Sequence, residues 1–298
     1  DSAKKRVIDT IRALNYQPNA FARSLKQDKS RSIGFVLPDL MNAYFIQIAK
    51  TIQARLMQQG YHLLMMESED DAAKEKEALN LLTAKRVEAI ILAPTGGNRK
   101  RIAAIRDAGI PIVLIDRKLD GLVLDSVAED NIVPAKEGAA YLASRHRRIG
   151  LINGPRHVST AAERRGAVLE QVEAAGEDRP EVYEYEGDYT RESGRQAIRY
   201  FMALPEPPTG LFSANNEMTY GVFLGLRELG LPADAVEIVS FGGLEFSPLF
   251  NHRMSYIRQS PAAVGESAAD LVLQCAANPA KERENRILVP RFVQNNRC

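Results

Sequence analysis

From residue 32 onward, short apolar runs alternate with longer stretches in which apolar side chains recur every three to four positions. The short runs predict strands at 33–37, 62–66, 88–92, 111–115, 149–153, 182–186, 209–213 and 236–241. The longer stretches predict amphipathic helices near 44–59, 71–85, 98–108, 132–145, 161–175, 191–203, 217–229 and 262–276. Runs such as "IGFVL" and "PIVLI" are apolar throughout, which marks strands covered on both faces. Strand followed by helix, repeated, means βαβ units and parallel sheets. Gly60, Gly109, Gly176 and Gly230 fall where a helical pattern stops, as helix-ending glycines do.

Eight such units exceed one comfortable doubly wound sheet, so the pattern predicts two α/β lobes with about five or six strands each. The break falls near "EDNIVPAKEG", 129–138. In twin-lobed architectures of this kind a ligand sits at the carboxyl ends of the strands, where the lobes face each other.

Length and composition agree with this organisation. The chain has 298 residues, enough for two cores, with 45% hydrophobic and 26% charged residues. No apolar run is long enough to span a bilayer, so no membrane partner is expected. The N-terminus has no apolar signal-peptide core, and a cytoplasmic location is expected. Cys275 and Cys298 belong to no CxxC or Cys/His cluster, so neither a disulfide framework nor a metal site is expected. The net charge of +1 hides an asymmetry. Residues 1–31 carry eight basic and three acidic residues, +5, and the remainder 31 basic and 35 acidic, −4. That is the pattern of a polyanion-binding tip on an acidic body, or of a solvated basic tail.

Enzyme signatures are missing from the sequence. There is no GxxxxGK[ST], no GxGxxG after a strand, no GxSxG and no HExxH. "PTGGN" at 94–98 reads as a turn, and His62, His146, His157 and His252 have no metal-ligand spacing. The reading is therefore not an enzyme, and no cofactor and no catalytic residues are expected.

The segment "KKRVIDTIRALNYQPNAFARSLKQDKSRSIGFVLPDLMNAYF" resembles the LacI/GalR (lactose-repressor) family of bacterial transcription regulators. The likeness continues in order through "GYHLLMMESEDD", "PIVLIDR", "HRRIGLINGP", "AERRGAVLEQVEAAG", "PTGLFSANNEMTYGVFLGLRELG" and "IVSFGG". It implies two doubly wound parallel-sheet lobes, periplasmic-binding-protein-like type I, preceded by a remnant of an all-α DNA-binding headpiece. The expected division is 1–17 headpiece remnant, 18–31 hinge helix and linker, 32–129 with 258–286 as the first lobe, and 130–257 with 287–298 as the second. The likeness places residues 2–16 on the third headpiece helix, with the first two helices ahead of residue 1. It also implies a homodimeric, ligand-responsive repressor on palindromic operator DNA. A periplasmic or surface sugar-binding protein with the same body is the alternative, and the basic lead-in is what distinguishes the two.

Pro18 suits the first turn of a helix about eight residues long, too short to be stable alone. The resemblance puts Leu25 where the family wedges a leucine into the minor groove, with Asn19, Arg23 and Lys26 beside it on DNA. It assigns effector binding to Asp39, Tyr44, Phe45, Asp116 and Arg117 in the first lobe and to Arg164, Phe212 and Asn215 in the second. Carboxylates, amides and guanidiniums read hydroxyl groups, and aromatic faces pack on a sugar or base. From the residues alone, Phe45 and Phe212 could equally be core, Asp116 a cap and Arg164 a surface residue. Three departures from the family pattern stand out. Gly242 and Gly243 stand where the family carries an aspartate, Asn216 where it has the aspartate of an Asn-Asp pair, and Arg145 where it has a glycine. The first two changes remove negative charge while Arg117 and Arg164 remain, so the expected effector is an anionic carbohydrate, a sugar acid or sugar phosphate.

Overall fold

The structure is a computed structural model, and it describes residues 4–6, 9–10, 30–245 and 252–295. Residues 4–6 and 9–10 are helical. The first lobe runs β1 (Ser32–Leu37), α1 (Ala43–Gln58), β2 (His62–Glu67), α2 (Ala72–Ala84), β3 (Ala89–Leu92), α3 (Arg99–Asp107), β4 (Ile112–Ile115) and β5 (Asp125–Glu129). The second runs α4 (Val133–Ala143), β6 (Arg148–Asn153), α5 (Ser159–Glu173), β7 (Glu181–Glu186), α6 (Arg191–Met202), β8 (Gly210–Ser213), α7 (Asn216–Glu228), β9 (Glu237–Phe241) and β10 (Met254–Arg258). The chain then returns to the first lobe with α8 (Pro261–Ala277) and β11 (Asn285–Leu288) before β12 (Arg291–Val293) closes the second.

Both sheets have six strands in the same doubly wound order, β11-β5-β4-β3-β1-β2 and β12-β10-β9-β8-β6-β7. Every pairing is parallel except β10 with β12. The strand order reverses beside β1 in one sheet and beside β6 in the other, and crevices open at the carboxyl ends of such switch points. The chain crosses between lobes three times: between β5 and α4, β10 and α8, and β11 and β12. Because β11 stays paired with β5 through Leu288, the last crossing follows that residue and not residue 286 as expected from sequence.

Each sheet is buried on both faces. Ile33, Phe35 and Ile91 face α1 and α8, whereas Val36, Ile90 and Leu92 face α2 and α3. In the second lobe one face holds Phe201, Leu211 and Ile238, and the other Leu151, Phe212 and Val239. This two-sided burial is why the central strands read as unbroken apolar runs. The four helix-ending glycines all adopt positive φ, between 69° and 90°. Arg145 needs no such conformation: α4 ends at Ala143, and the Arg145 guanidinium lies 4.7 Å from the Tyr141 ring centre.

Helices α6 and α7 approach through glycine. A Cβ on Gly221 would lie 1.9 Å from the Arg191 carbonyl oxygen, and one on Gly194 would lie 2.0 Å from that of Met218. Backbone cannot yield as a flexible side chain does. Gly221→Ala is therefore expected to destabilise the second lobe by about 3 kcal/mol. Gly166→Ala in α5, with no neighbour within 4 Å of its Cβ, is expected to be neutral or to stabilise by up to about 1 kcal/mol. Urea unfolding of the two variants measures the contrast.

Candidate functional site: a polar cleft between the lobes

A cavity of ≈ 390 Å³ opens between the lobes at the carboxyl ends of the strands. It is bounded by segments that follow β1, β2 and β4 in the first lobe and β6, β7 and β8 in the second. Four of the six non-glycine residues with positive φ among the described residues line it: Glu69, Asp70, Asp116 and Tyr189. Left-handed backbone is unfavourable for L-residues and persists where the surroundings over-determine it. Its concentration here marks the cleft as the specialised part of the molecule.

Helix caps place several of the walls. Asn42 caps α1 by accepting a hydrogen bond from the Tyr44 amide at 3.0 Å. That fixes Tyr44 and Phe45 in the first turn, edge to face with ring centres 5.2 Å apart. Asn215 caps α7 through Met218 N at 2.8 Å, and its amide donates to the Tyr189 carbonyl at 3.0 Å. Thr190 caps α6 through Ser193 N. Three helix N-termini thus meet the cavity, each with a side-chain oxygen on one amide of its first turn.

Arg117 is 4% exposed and bonds to Asp70 through both terminal nitrogens, the Nη2–Oδ2 distance being 3.0 Å. Its Nε is buried without a hydrogen-bond partner, 3.6 Å from the Asp116 carboxylate. Asp116 accepts no side-chain hydrogen bond from any described residue and is 11% exposed. Burial raises its pKa above the ordinary carboxylate value, even with Arg117 and Arg164 nearby. Glu129 lies behind Tyr44 and Gln259, both of which line the cavity. It accepts from Ser260 N at 2.6 Å, Gln259 Nε2 at 2.7 Å and the Tyr44 hydroxyl at 3.1 Å, and burial still raises its pKa. Burial also holds the Tyr44 phenol well above its usual value, so it remains a donor.

Arg164 rises from α5 and is 5% exposed. Its guanidinium lies 3.6 Å from the Phe241 ring centre and donates to Asn131 Oδ1 at 2.8 Å and the Ala214 carbonyl at 2.7 Å. Further links span the cleft: Lys118 N to Ser159 Oγ at 2.8 Å, Lys118 Nζ to Glu163, Asn131 to Glu163 at 2.8 Å, and Asn216 to Asn42 Oδ1 at 3.1 Å.

The structure gathers Asp39, Tyr44, Phe45, Asp116, Arg117, Arg164 and Asn215 around the one cavity. Phe212 is a correction. It is fully buried in β8, packed with Val239 and against the Cα of Gly138, because its side chain points to the α4/α5 face and not past the strand end. The second lobe's aromatic wall is Tyr189, whose hydroxyl lies 3.1 Å from Thr160 Oγ1. A Cβ on Gly154 would enter the Tyr189 ring, so that glycine makes room for it. Asp70, Glu129, Asn131, Tyr189 and Gln259 also escaped the sequence reading. The acidic run "ESEDD" at the end of β2 was the available signal for Asp70. The hinge residues Asn19, Arg23, Leu25 and Lys26 lie outside the described residues, as does Cys298. Among the described residues there is no group of three or more His, Cys, Asp or Glu able to hold a metal ion.

The charge balance of the cavity differs from that expected. Six carboxylates line it, from Asp39, Glu67, Glu69, Asp70, Asp116 and Asp188, against the two guanidiniums of Arg117 and Arg164. The departures at Asn216, Gly242 and Gly243 remove charge at one rim, but acids on the first lobe more than replace it.

Two parallel-sheet lobes joined by three crossings and facing across a polar cleft define a periplasmic-binding-protein-like ligand sensor. Residues 30–296 match the family model described as periplasmic binding proteins and sugar binding domain of LacI family, and the chain belongs to that family. It is 27% identical over 302 residues to the HTH-type transcriptional repressor PurR of Aliivibrio salmonicida, covering 98% of this chain and 89% of that protein. The PurR repressor of Mannheimia succiniciproducens is likewise 27% identical over 299 residues, covering 98% of this chain and 89% of that protein. Among solved structures, the Cra transcriptional dual regulator from Pseudomonas putida, in complex with fructose 1-phosphate, matches with TM-score 0.80 and 27% identity. That match covers 89% of this chain and 98% of that one. A putative ribose operon repressor from Burkholderia thailandensis matches with TM-score 0.78 and 26% identity over 90% of this chain and 100% of that one. The chain is a LacI-type, ligand-responsive transcriptional regulator, and the relatives named are regulators rather than enzymes.

Asp70→Ala would leave the Arg117 charge buried with Asp116 as its sole remaining counter-ion. The expected cost is about 3 kcal/mol, measured by chemical unfolding of the empty protein.

Proposed function

We propose that the cleft binds a small carbohydrate-type effector and that its occupancy sets the affinity of a homodimer for palindromic operator DNA. The observation that carries this reading is the cavity itself: ≈ 390 Å³, at both topological switch points, lined by polar groups from both lobes. In this reading Asp39, Asp116, Arg117, Arg164 and Asn215 form or brace the polar walls, and Tyr44, Phe45 and Tyr189 supply the aromatic ones. The complex of the Pseudomonas putida regulator with fructose 1-phosphate supports a sugar-sized ligand. The likeness to repressors extends over 98% of the chain, the lead-in ahead of residue 30 included, and supports a regulator over a solute-binding protein. Asn19, Arg23, Leu25 and Lys26 are the proposed DNA contacts, from sequence alone. A regulator acting on operator DNA works in the cytoplasm, and no described helix is long and apolar enough to cross a membrane.

The coupling runs through the crossings. Glu129 ends β5 and holds Gln259 and Ser260, which belong to the return crossing, while Tyr44 touches both Glu129 and the cavity. Asn131, in the first crossing, holds Arg164 of the second lobe. A ligand that moves Tyr44 acts on the return crossing through Glu129, and one that moves Arg164 acts on the first through Asn131.

The test is fluorescence anisotropy on genomic fragments, using the protein with a complete headpiece ahead of residue 1. The expected result is salt-dependent binding to at least one fragment, shifted about 5–150-fold by a sugar that also stabilises the body. A ligand present at 100 times its Kd should stabilise the body by about 2.7 kcal/mol. Indifference of every fragment to every stabilising ligand would contradict the reading.

A further inference from the structure

We propose that the first lobe carries a second small-molecule site, outside the cleft, that takes a multiply charged phosphate-type anion such as a diphosphate. The site is a concavity of ≈ 500 Å³ lined by Lys76 of α2, by the turn at 96–98, and by Arg99, Lys100 and Arg101 of α3. Every charged side chain in that lining is a cation. The body around it has more acidic than basic residues.

These cations are uncommitted. The side chains of Lys76, Arg99 and Lys100 make no hydrogen bond or ion pair with any described residue. Arg101 reaches only Thr83 Oγ1, at 3.5 Å, and its Nε is buried without a partner. Cations on other helices are placed differently: Arg55, Lys74, Lys136, Arg165 and Arg195 all pair with carboxylates. Nor does the cluster steady α3. Arg99, Lys100 and Arg101 are its first three residues, at the end of a helix where positive charge is unfavourable. Grouped like charges repel, and an anion seated among them relieves that repulsion.

The frame is fixed from within. Glu75, fully buried, accepts from Thr95 N at 2.6 Å and from Asn98 Nδ2 at 2.8 Å. Asn98 also donates to the Ala72 carbonyl at 2.6 Å. The turn that leads into the three α3 cations is thus tied to α2, which carries the fourth.

Charge, shape and position select the ligand. Guanidinium and ammonium groups hold phosphate oxygens by charge-assisted hydrogen bonds, and four of them suit two linked phosphate groups better than a single carboxylate. A concavity of this size fits a small molecule. Operator DNA fits poorly. The lead-in joins the lobe at residue 30, before the amino end of β1, whereas the cavity follows the carboxyl end of the parallel strand β3. The cavity shares no lining residue with the cleft but adjoins it, since the Pro94 carbonyl just ahead of the turn lies 3.5 Å from Arg117 Nη1.

The test is calorimetric titration of the whole chain with pyrophosphate and with tripolyphosphate, against sulfate at equal ionic strength. The expected result is saturable binding of at least one of the two phosphates, about tenfold or more tighter than sulfate and weakening as salt rises. The double variant Arg99→Gln/Lys100→Gln, at two exposed positions, should lose about tenfold or more in that affinity without loss of stability in urea. Lys50→Gln, which removes an exposed cation from α1, should leave the affinity unchanged. Failure of both phosphates to bind, or binding no tighter than sulfate, overturns the inference. So does binding that survives the double substitution, because the anion then sits elsewhere, the cleft included. Capture of poly-glutamate through Arg99 and Lys100 with neither phosphate bound would make the face a docking surface for an acidic protein, and would overturn it as well.

Discussion

A guanidinium with almost no access to water holds the two lobes in register. Arg164 stacks on Phe241 within its own lobe and reaches Asn131 in the first crossing. A buried cation is costly unless hydrogen-bonded, and Nε and Nη1 of Arg164 donate to Asn131 and to the Ala214 carbonyl. Asn131 meets one donor and also bonds to Glu163, which in turn pairs with Lys118 across the cleft. The lobes are thus joined by one polar chain running beside the cavity. The second such chain, Tyr44 to Glu129 to Gln259 and Ser260, fixes the return crossing. Both chains reach the cavity, one through Arg164 and the other through Tyr44 and Gln259.

The parallel sheets explain why the polar groups are there. Strands buried on both faces have no room for function along their length, so chemistry collects past their carboxyl ends, where the following helices begin. Asn42, Thr190 and Asn215 are at once helix caps and cavity walls. The same residues that satisfy orphan amides shape the binding surface, and a substitution at any of them acts on stability and specificity together.

The central strands and all eight described body helices were legible because burial on both faces writes itself as apolar runs, and amphipathic burial as a 3.6-residue period. Four strands were not. β5, "DSVAE", places carboxylates at both ends, and its buried Asp125 is held by Lys281 and Arg283, more than 150 residues away in the chain. β10, "MSYIR", mixes polar and apolar residues, and β11 and β12 are short, half-exposed edge strands with no apolar run to detect. The same limit governs the site. Residues immediately after an apolar strand, such as Asp39, Asp116 and Asn215, could be placed from sequence. Phe212 could not, because a one-residue difference along a strand decides between core and cleft. Glu129 and Gln259 meet only through tertiary folding, and the cavity's charge depends on which arginines are already paired.

Amide hydrogen exchange at the crossings, with and without a bound sugar, tests the central claim most directly. If the cleft senses its ligand through the Glu129 and Asn131 chains, protection should rise at the amides of Ser260 and Ile132, which bond to Glu129 and Asp130, as well as around the cavity. Slower exchange around the cavity with both crossings unchanged would show that the ligand is held without being communicated, and the account would be wrong.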